Sequence, residues 1–599
     1  MTAEAAANGT AEPEAGTPRV AEIESLIADV LALRTAMLDL ASRWDERLAD
    51  LPAGRRQSAR NLLHYLALRQ QDVRPLQERL GALGLSSLGR SEAHALASVD
   101  AVLRLLHRLA GRPWTAPPGG GPGFAAGDAA LVANTAALLG PLPAGRDCRV
   151  MVTMPSEAAT DYGLVRGLLE AGMDCMRVNC AHDDAAAWEA MVGHLRRAEA
   201  EVGRPCRVLM DLAGPKLRTG PLAPGPEVLK CRPRRDDAGR VLAPAELWLT
   251  ADGAPAPAPR PATGTLPVPA EWLAALAAGD ELALTDARGS RRTLRVAVAL
   301  PGGCWATCDK TVYFATGTRL TVKGRRRKGT TRKRGHPPIS ARVGALPPLE
   351  QPLRLKPGDV LVVTREQTPG RPETPAGPAG APGKPAQIAC TLPEVFGAAR
   401  PGERIWFDDG KIGGVIREAG PDALWVEITQ ARPGGTRLRA EKGINLPDTD
   451  LPVAALTAKD VADLPFVAAH ADLVALSFVR DPAAVLDLER RLEALGSSIG
   501  VVLKIETRRG FEQLPRLLLA ALRAPSAGVM IARGDLAIEA GYERLAEVQE
   551  EVLWLAEAAH LPVVWATQVL ETLAKSGQPT RAEITDAAMA ERAECVMLN

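Results

Sequence analysis

The run "GVVLKIE" at 500–506 reads as a buried strand until it ends on two charges, Lys504 and Glu506. Side chains along a strand alternate with a period of two, so both charges share one face and Ile505 takes the other. Two further apolar runs finish on polar groups: "GVMIARGDLA" supplies Arg533 and Asp535 at one level, and "PVVWATQ" supplies Thr567 and Gln568. Carboxylates at Glu506 and Asp535 with an ammonium at Lys504 suit a hard divalent cation, Mg2+ or Mn2+, beside an anionic substrate, the two carboxylates being its ligands. A simple buried ion pair between Lys504 and Glu506 is the competing reading, although desolvation makes such a pair a poor stabiliser. "MRVNCAH" adds Arg177 and Asn179 on one face, and "MDLAGPKLRTG" adds Asp211 followed by Lys216 and Arg218. Arginines grip phosphoryl oxygens where catalysis is mostly positioning and charge neutralisation, so the set suits a phosphorylated acid.

These residues lie on eight apolar runs, at 148–154, 173–179, 206–211, 473–478, 500–506, 528–533, 562–567 and 595–598, each followed by a longer amphipathic segment except the last. The segment after the fourth run begins with Asp481 as N-cap and Pro482 at the first helical position, and stops at Gly496. The one before it opens with Thr457 and Asp460 in capping-box spacing. Apolar strands alternating with helices predict an α/β fold with a parallel sheet, and eight repeats predict a closed (β/α)8 TIM barrel with its site at the C-terminal ends of the strands.

Other regions have a different texture. Residues 221–405 predict a β-rich lid domain inserted after strand three. Within it, the Pro/Gly/Ala-rich tract at 368–386 predicts a flexible loop. The basic run "KGRRRKGTTRKR" (323–334) predicts a solvated loop or a phosphate or nucleic-acid contact, without interleaved aromatics to stack on. Upstream, Ile23, Leu26, Ile27, Val30, Leu31 and Leu33 recur at helical spacing, and "PPGGGPG" (117–123) reads as a linker. His64, His94 and His107 in this region are expected to be packing or surface residues. The predicted order is a disordered tail at 1–19, a helical extension and linker at 20–145, barrel strands one to three at 146–220, the lid at 221–405, and strands four to eight at 406–599.

Bulk properties set limits. A net charge of +1 gives no global attraction to nucleic acid or an anionic membrane. No stretch offers about 18 uninterrupted apolar residues and the start lacks a signal-peptide pattern, which argues for the cytoplasm and against a membrane. The nine cysteines are scattered, and Cys304 with Cys308 lacks the second ligand pair of a structural zinc site. Free thiols in a reducing compartment are expected.

Taken together, "MRVNCAH", "MDLAGPKLRTG", "IWFDDGKI", "GINLP", "LSFVR", "LKIET", "ARGDLAIE", "ATQVLETL" and "PTRAEITDAA" occur in the order found in the pyruvate kinase family, over roughly 148–220 and 401–599. The chain resembles that family, and resembles its lid only loosely. The resemblance implies phosphoryl transfer from phosphoenolpyruvate to ADP, giving pyruvate and ATP. It implies that Lys504 contacts the transferring phosphoryl group, that Arg177 grips the substrate phosphate, and that Glu506 and Asp535 hold Mg2+ (or Mn2+). It also implies that the amides around Gly534 and Asp535 receive the substrate carboxylate with the Thr567 hydroxyl, and that Arg218, His182 and Asn179 lie near the nucleotide. A homo-oligomer fits the family, and nucleic acid is not an expected partner.

Three departures stand out. The family's monovalent-cation site draws on Asn, Ser, Asp and Thr; Asn179 and Asp211 persist, but Ala181 and Leu212 stand at the other two positions. Lys216 stands where the family commonly has glutamate, and in family members with lysine there the ammonium is thought to replace K+. The expectation is activity without K+, with a surface role for Lys216 as the alternative. "AECVMLN" ends strand eight at Asn599, where the family continues into a further loop, helix and C-terminal domain, so its effector site is not expected, and three readings of the strand stand open: the N-terminal helices cover it, a partner covers it, or the sequence is truncated there. Two other functions remain open: a metal-dependent oxo-acid aldolase or lyase, and a catalytically degenerate homologue that regulates or binds polyanions.

Overall fold

The computed structural model describes residues 20–117, 119, 121–323, 340–374 and 383–599. The tail at 1–19 and all of the basic run except Lys323 lie outside the described residues. The chain forms two compact units. One takes the chain up to Arg218 together with Leu392–Gln430 and Gly443–Asn599; the other takes Thr219–Thr391 and Ala431–Lys442.

In the first unit, the eight apolar runs form a closed parallel barrel: β1 (Arg149–Thr153), β2 (Cys175–Asn179), β3 (Arg207–Asp211), β4 (Leu473–Leu476), β5 (Gly500–Ile505), β6 (Ala527–Ala532), β7 (Val563–Ala566) and β8 (Cys595–Leu598). Arg149 pairs with Cys595 to close the ring. Strands β4 to β7 are buried at every position, as expected of strands covered on both faces. On β1 and β8 the outward residues Val150, Val152, Val596 and Leu598 stay half-buried. The caps expected from the sequence are present: Asp481 accepts from the Ala484 N–H, and Thr457 with Asp460 closes a capping box.

The N-terminal helices α1 (Val20–Ser42), α2 (Ala53–Arg69), α3 (Ala95–Leu109) and α4 (Phe124–Leu139) belong to this unit. Ile23, Leu26, Ile27, Val30, Leu33 and Met37 recur on the buried stripe of α1. The helices dock beside α6 (Leu545–Ala558), the helix that follows α5 (Arg533–Ala540) after β6. The seam is polar and paired. Asn61 donates to Ala558 O (2.9 Å) and accepts from the Ala95 N–H (2.9 Å), and His560 bridges Ser58 (2.8 Å) and Ala93 O (2.8 Å). Because a carbonyl only accepts, His560 carries its proton on Nε2, and burial lowers its pKa and keeps the ring neutral. The end of α4 plugs the barrel floor, where Leu138 and Leu139 join the lumenal residues Cys175, Leu209, Leu473 and Cys595 in one buried cluster. Gly500 and Gly528 leave the room for it, since a Cβ at either would fall within 2.6 Å of the Leu138 side chain. His64 is fully buried, while His94 and His107 pack against Phe124 and Trp114.

Strands Arg404–Phe407, Ile412–Ala419 and Ala423–Gln430 form an antiparallel meander that clusters with the first unit, whereas the sequence places the lid boundary at 405 and begins the second barrel segment at 406. They are not barrel strands.

The second unit is β-rich, with a seven-stranded sheet around a core that includes Leu247, Leu249, Leu282, Phe314 and Leu320. Cys304 and Cys308 are buried and free there. Of the tract expected to be a flexible loop, 375–382 lie outside the described residues, but its ends are ordered. Arg371 and Thr374 exchange backbone hydrogen bonds with Gln387 and Lys384, and Ala386–Ala389 is a strand. Backbone pairing needs no apolar burial from the side chains, which is why composition alone misjudges those ends.

Candidate active site

Period-two alternation turns Lys504 and Glu506 into the lumen at the C-terminal end of β5. Lys504 Nζ donates to Ser477 Oγ at 2.8 Å and is ion-paired with Glu506 Oε1 at 3.1 Å and Asp211 Oδ2 at 3.2 Å. Asp211 Oδ2 also accepts from Arg177 Nε (2.9 Å) and Nη2 (2.6 Å), and its Oδ1 accepts from Ser477 (3.1 Å). Arg177 Nη1 reaches Thr153 Oγ1 at 3.0 Å. Two cations and two anions thus form a closed buried network. Burial alone would lower the Lys504 ammonium, but Asp211 and Glu506 outweigh it and hold it above its usual value. Burial would raise Asp211, yet Lys504 and Arg177 hold it below the usual carboxylate range. Glu506 goes the other way: burial pushes it up, and although Lys504 opposes, the Asp535 and Asp211 carboxylates add to the rise.

Ser477 is the member that sequence reasoning does not single out. It follows Ala475 by two on the strand-four face and lies inside "LSFVR", which is the signal that could have found it. Next to it, Phe478 adopts a left-handed backbone (φ 52°), and its N–H donates to Glu506 Oε2 at 2.6 Å. A non-glycine residue at positive φ carries strain and is worth noting beside a charged cluster. The β3 loop presses on this spot. Gly214 has φ 64°, and a Cβ there would lie 2.7 Å from Ser477 Cβ, so only glycine fits.

Asp535 sits in the first turn of α5, which starts at Arg533. The sequence sets Arg533 and Asp535 at one level of a strand end; in the helix they part. Arg533 turns to Ala566 O (2.9 Å), Thr567 O, Asp586 and the Trp565 ring, bracing the loop after β7. That loop carries Thr567 and Gln568 at φ 69° and 56°, and Thr567 Oγ1 accepts from the Gly534 N–H at 3.3 Å. Asp535 pairs with Lys216 Nζ (2.9 Å to Oδ2, 3.3 Å to Oδ1). Asn445 Nδ2 touches both Asp535 (3.3 Å) and Glu539 (3.4 Å), the latter pushed up to about 7 by burial. Lys216, Asn445, Phe478, Thr507, Asp535 and Glu539 line one side of a cavity of about 520 Å3.

The remaining sequence candidates are placed apart from this network. Asn179 Oδ1 accepts from the Ala181 N–H (3.2 Å) in its own loop, His182 is exposed, and Arg218 is half-buried in a β-bridge to Gly443. Asn179 and Asp211 are register partners across β2 and β3, but no hydrogen bond or ion pair joins Lys216 to either; its ammonium is on Asp535. Among the described residues no three His, Cys, Asp or Glu side chains converge as a metal cluster. The pair Glu506 and Asp535 still fits a hard cation. Glu506 is raised in part by the neighbouring Asp535 charge, and Mg2+ is typically held by one or two carboxylates with water and substrate oxygens completing the shell.

Residues 351–599 match the family model described as pyruvate kinase, barrel domain. Over these residues the chain is similar to the pyruvate kinase family. The chain is 37% identical over 201 residues to pyruvate kinase PKLR of Rattus norvegicus (33% of each chain) and 36% identical over 248 residues to pyruvate kinase of Methylorubrum extorquens (41% of this chain, 47% of the relative). It is 34% identical over 216 residues to pyruvate kinase of Corynebacterium efficiens (36% of this chain, 44% of the relative). The chain spans a third to a half of the length of these relatives. Strands β1 to β3 precede the matched residues, yet they close the same barrel, with Arg177 and Asp211 at its mouth. Among the described residues no helix is long and apolar enough to cross a membrane.

Proposed function

We propose that this chain transfers a phosphoryl group from phosphoenolpyruvate to ADP with Mg2+ (or Mn2+) bound, as a cytoplasmic glycolytic kinase. The observation that carries the reading is Lys504 held in the lumen between Asp211 and Glu506, with Asp535 adding a second carboxylate near Glu506. The bond from phosphorus to the enol oxygen breaks and one to the terminal ADP oxygen forms. Lys504 bears on the phosphoryl oxygens, stays protonated because of its two anionic neighbours, and neutralises charge as it develops. Arg177 grips the same phosphate while Asp211 and Thr153 orient its guanidinium. The Gly534 and Asp535 amides, at the start of α5, receive the substrate carboxylate with the Thr567 hydroxyl. Glu506 and Asp535 would hold the divalent cation, which supplies charge neutralisation to the phosphoryl group and the departing enolate. Protonation of the enolate at carbon three gives pyruvate. Arg218, His182 and Asn179 are the proposed nucleotide neighbours. Ala181, Leu212 and Lys216 support turnover without K+.

A coupled assay with phosphoenolpyruvate, ADP and Mg2+, with K+ or a bulky organic cation, tests this. Wild type should turn over in both salts, and Lys504→Met should lose at least about 10²-fold in kcat. Equal background in the two proteins would sink the kinase reading, and turnover independent of ADP would favour an oxo-acid lyase.

A further inference from the structure

Lys216 carries its ammonium to Asp535. Its stem runs past Gly443, where a Cβ would lie 3.3 Å from Lys216 Cε, and past the Phe478 ring, 5.8 Å from Nζ. Its ammonium then meets both oxygens of Asp535, at 2.9 and 3.3 Å, and the Asn445 amide takes Oδ1 as well. Both oxygens of the proposed metal ligand are therefore occupied by donors of the chain itself. A hard divalent cation bonds a carboxylate oxygen at about 2.0–2.1 Å, on the side where an ammonium at hydrogen-bond distance already stands. A divalent cation and an ammonium on one carboxylate edge repel each other and compete for its charge.

We infer that Lys216 is the internal counter-ion of Asp535, which a divalent cation must displace in order to bind. This rests on the metal-site reading above and deepens it. The displaced ammonium has a second carboxyl to move to: Glu539 lies one helical turn beyond Asp535 on α5, is bridged to it through Asn445, and lines the same cavity of about 520 Å3. The free protein thus balances the Asp535 charge by itself and binds metal weakly, and metal entry hands a mobile ammonium to the mouth of the barrel.

The test reads Mn2+ binding to the full chain without substrates, from the electron paramagnetic resonance signal of free Mn2+. Lys216→Met and Lys216→Gln, two side chains of different polarity, should each bind Mn2+ at least about tenfold more tightly than wild type, and Lys216→Arg should stay weak. Adding Asp535→Asn to Lys216→Met should abolish the gain. Unchanged or weaker Mn2+ binding in both neutral variants overturns the inference, as does a gain that survives Asp535→Asn or an absence of binding in every protein. Phosphoenolpyruvate turnover of the same wild-type sample separates the two ideas. A gain in Mn2+ affinity in a chain without turnover keeps the counter-ion and removes the kinase; turnover without the gain does the reverse.

Discussion

The mouth and the floor of the barrel are built from the same strands and have opposite chemistry. On β2 the lumenal face carries Cys175 at the floor and Arg177 two residues later; on β3 Leu209 gives way to Asp211; on β5 Val502 gives way to Lys504 and then Glu506. At the floor, Leu138 and Leu139 of α4 pack with Cys175, Leu209 and Leu473 in a cluster that holds no charged side chain. At the mouth, Arg177, Asp211, Lys504 and Glu506 each have an opposite charge within 3.2 Å. A period of two thus lets one strand hold a stability layer and a charged layer without changing its backbone. The difference teaches where each kind of damage should appear: mutations at the mouth unbalance charge, and mutations at the floor open a void.

The largest effect is expected at Asp211, because one carboxylate balances two cations. Asp211→Asn leaves Arg177 and Lys504 facing each other with Glu506 as the one remaining anion of the network, which should cost about 3–5 kcal/mol in urea unfolding and remove turnover. A loss under about 1 kcal/mol would mean that the mouth is not a coupled network. Leu138→Ala should come next, at about 3 kcal/mol, since the void opens between Gly500 and Gly528, which have no side chains to collapse into it. Its kcat per folded molecule should match wild type. A fall in kcat with unchanged stability would erase the distinction between the two layers.

Much of this layering is legible in the sequence, and what is not has a physical reason. Parallel strands buried on both faces are written as apolar runs, so β4 to β7 stand out from residue types alone. Lys504 and Glu506 are legible because charges in such a run are costly and their spacing fixes their face. Arg533 is misplaced by strand logic because α5 begins at that residue; helical rotation sends it and Asp535 apart, whereas a strand would have aligned them. Ser477 is a small neutral side chain inside an apolar run, so nothing marks it until Lys504 and Asp211 are seen on either side. The partner of Lys216 lies 319 residues away in sequence, and no local period encodes such a contact. The meander at 404–430 has strand texture like that of the inserted unit, and only packing assigns it to the barrel's unit.

The smallest effect sharpens the comparison by pH. Glu594 lies at the floor just before β8; its Oε2 accepts from the Val563 N–H at 2.7 Å, and burial pushes it up to about 7. An unfolded chain would release that proton near its ordinary value of 4.5, so between pH 4.5 and 7 the native state binds more protons than the unfolded one. Stability from this group is therefore full below 4.5 and lost as pH rises through 7, by up to about 3 kcal/mol. Asp211 at the mouth has the opposite sign: held below its usual value by Lys504 and Arg177, it stabilises above the ordinary carboxylate range, and that contribution is lost as pH falls through its depressed value. Glu594→Gln keeps an acceptor for the Val563 N–H without a titrating proton. Urea unfolding at about pH 5 and about pH 8 should show wild type losing more stability than the variant, by an amount approaching about 3 kcal/mol. Parallel losses in the two proteins would mean that the floor carboxyl is hydrated, and the contrast between a paired mouth and a dry floor would then rest on Leu138 alone.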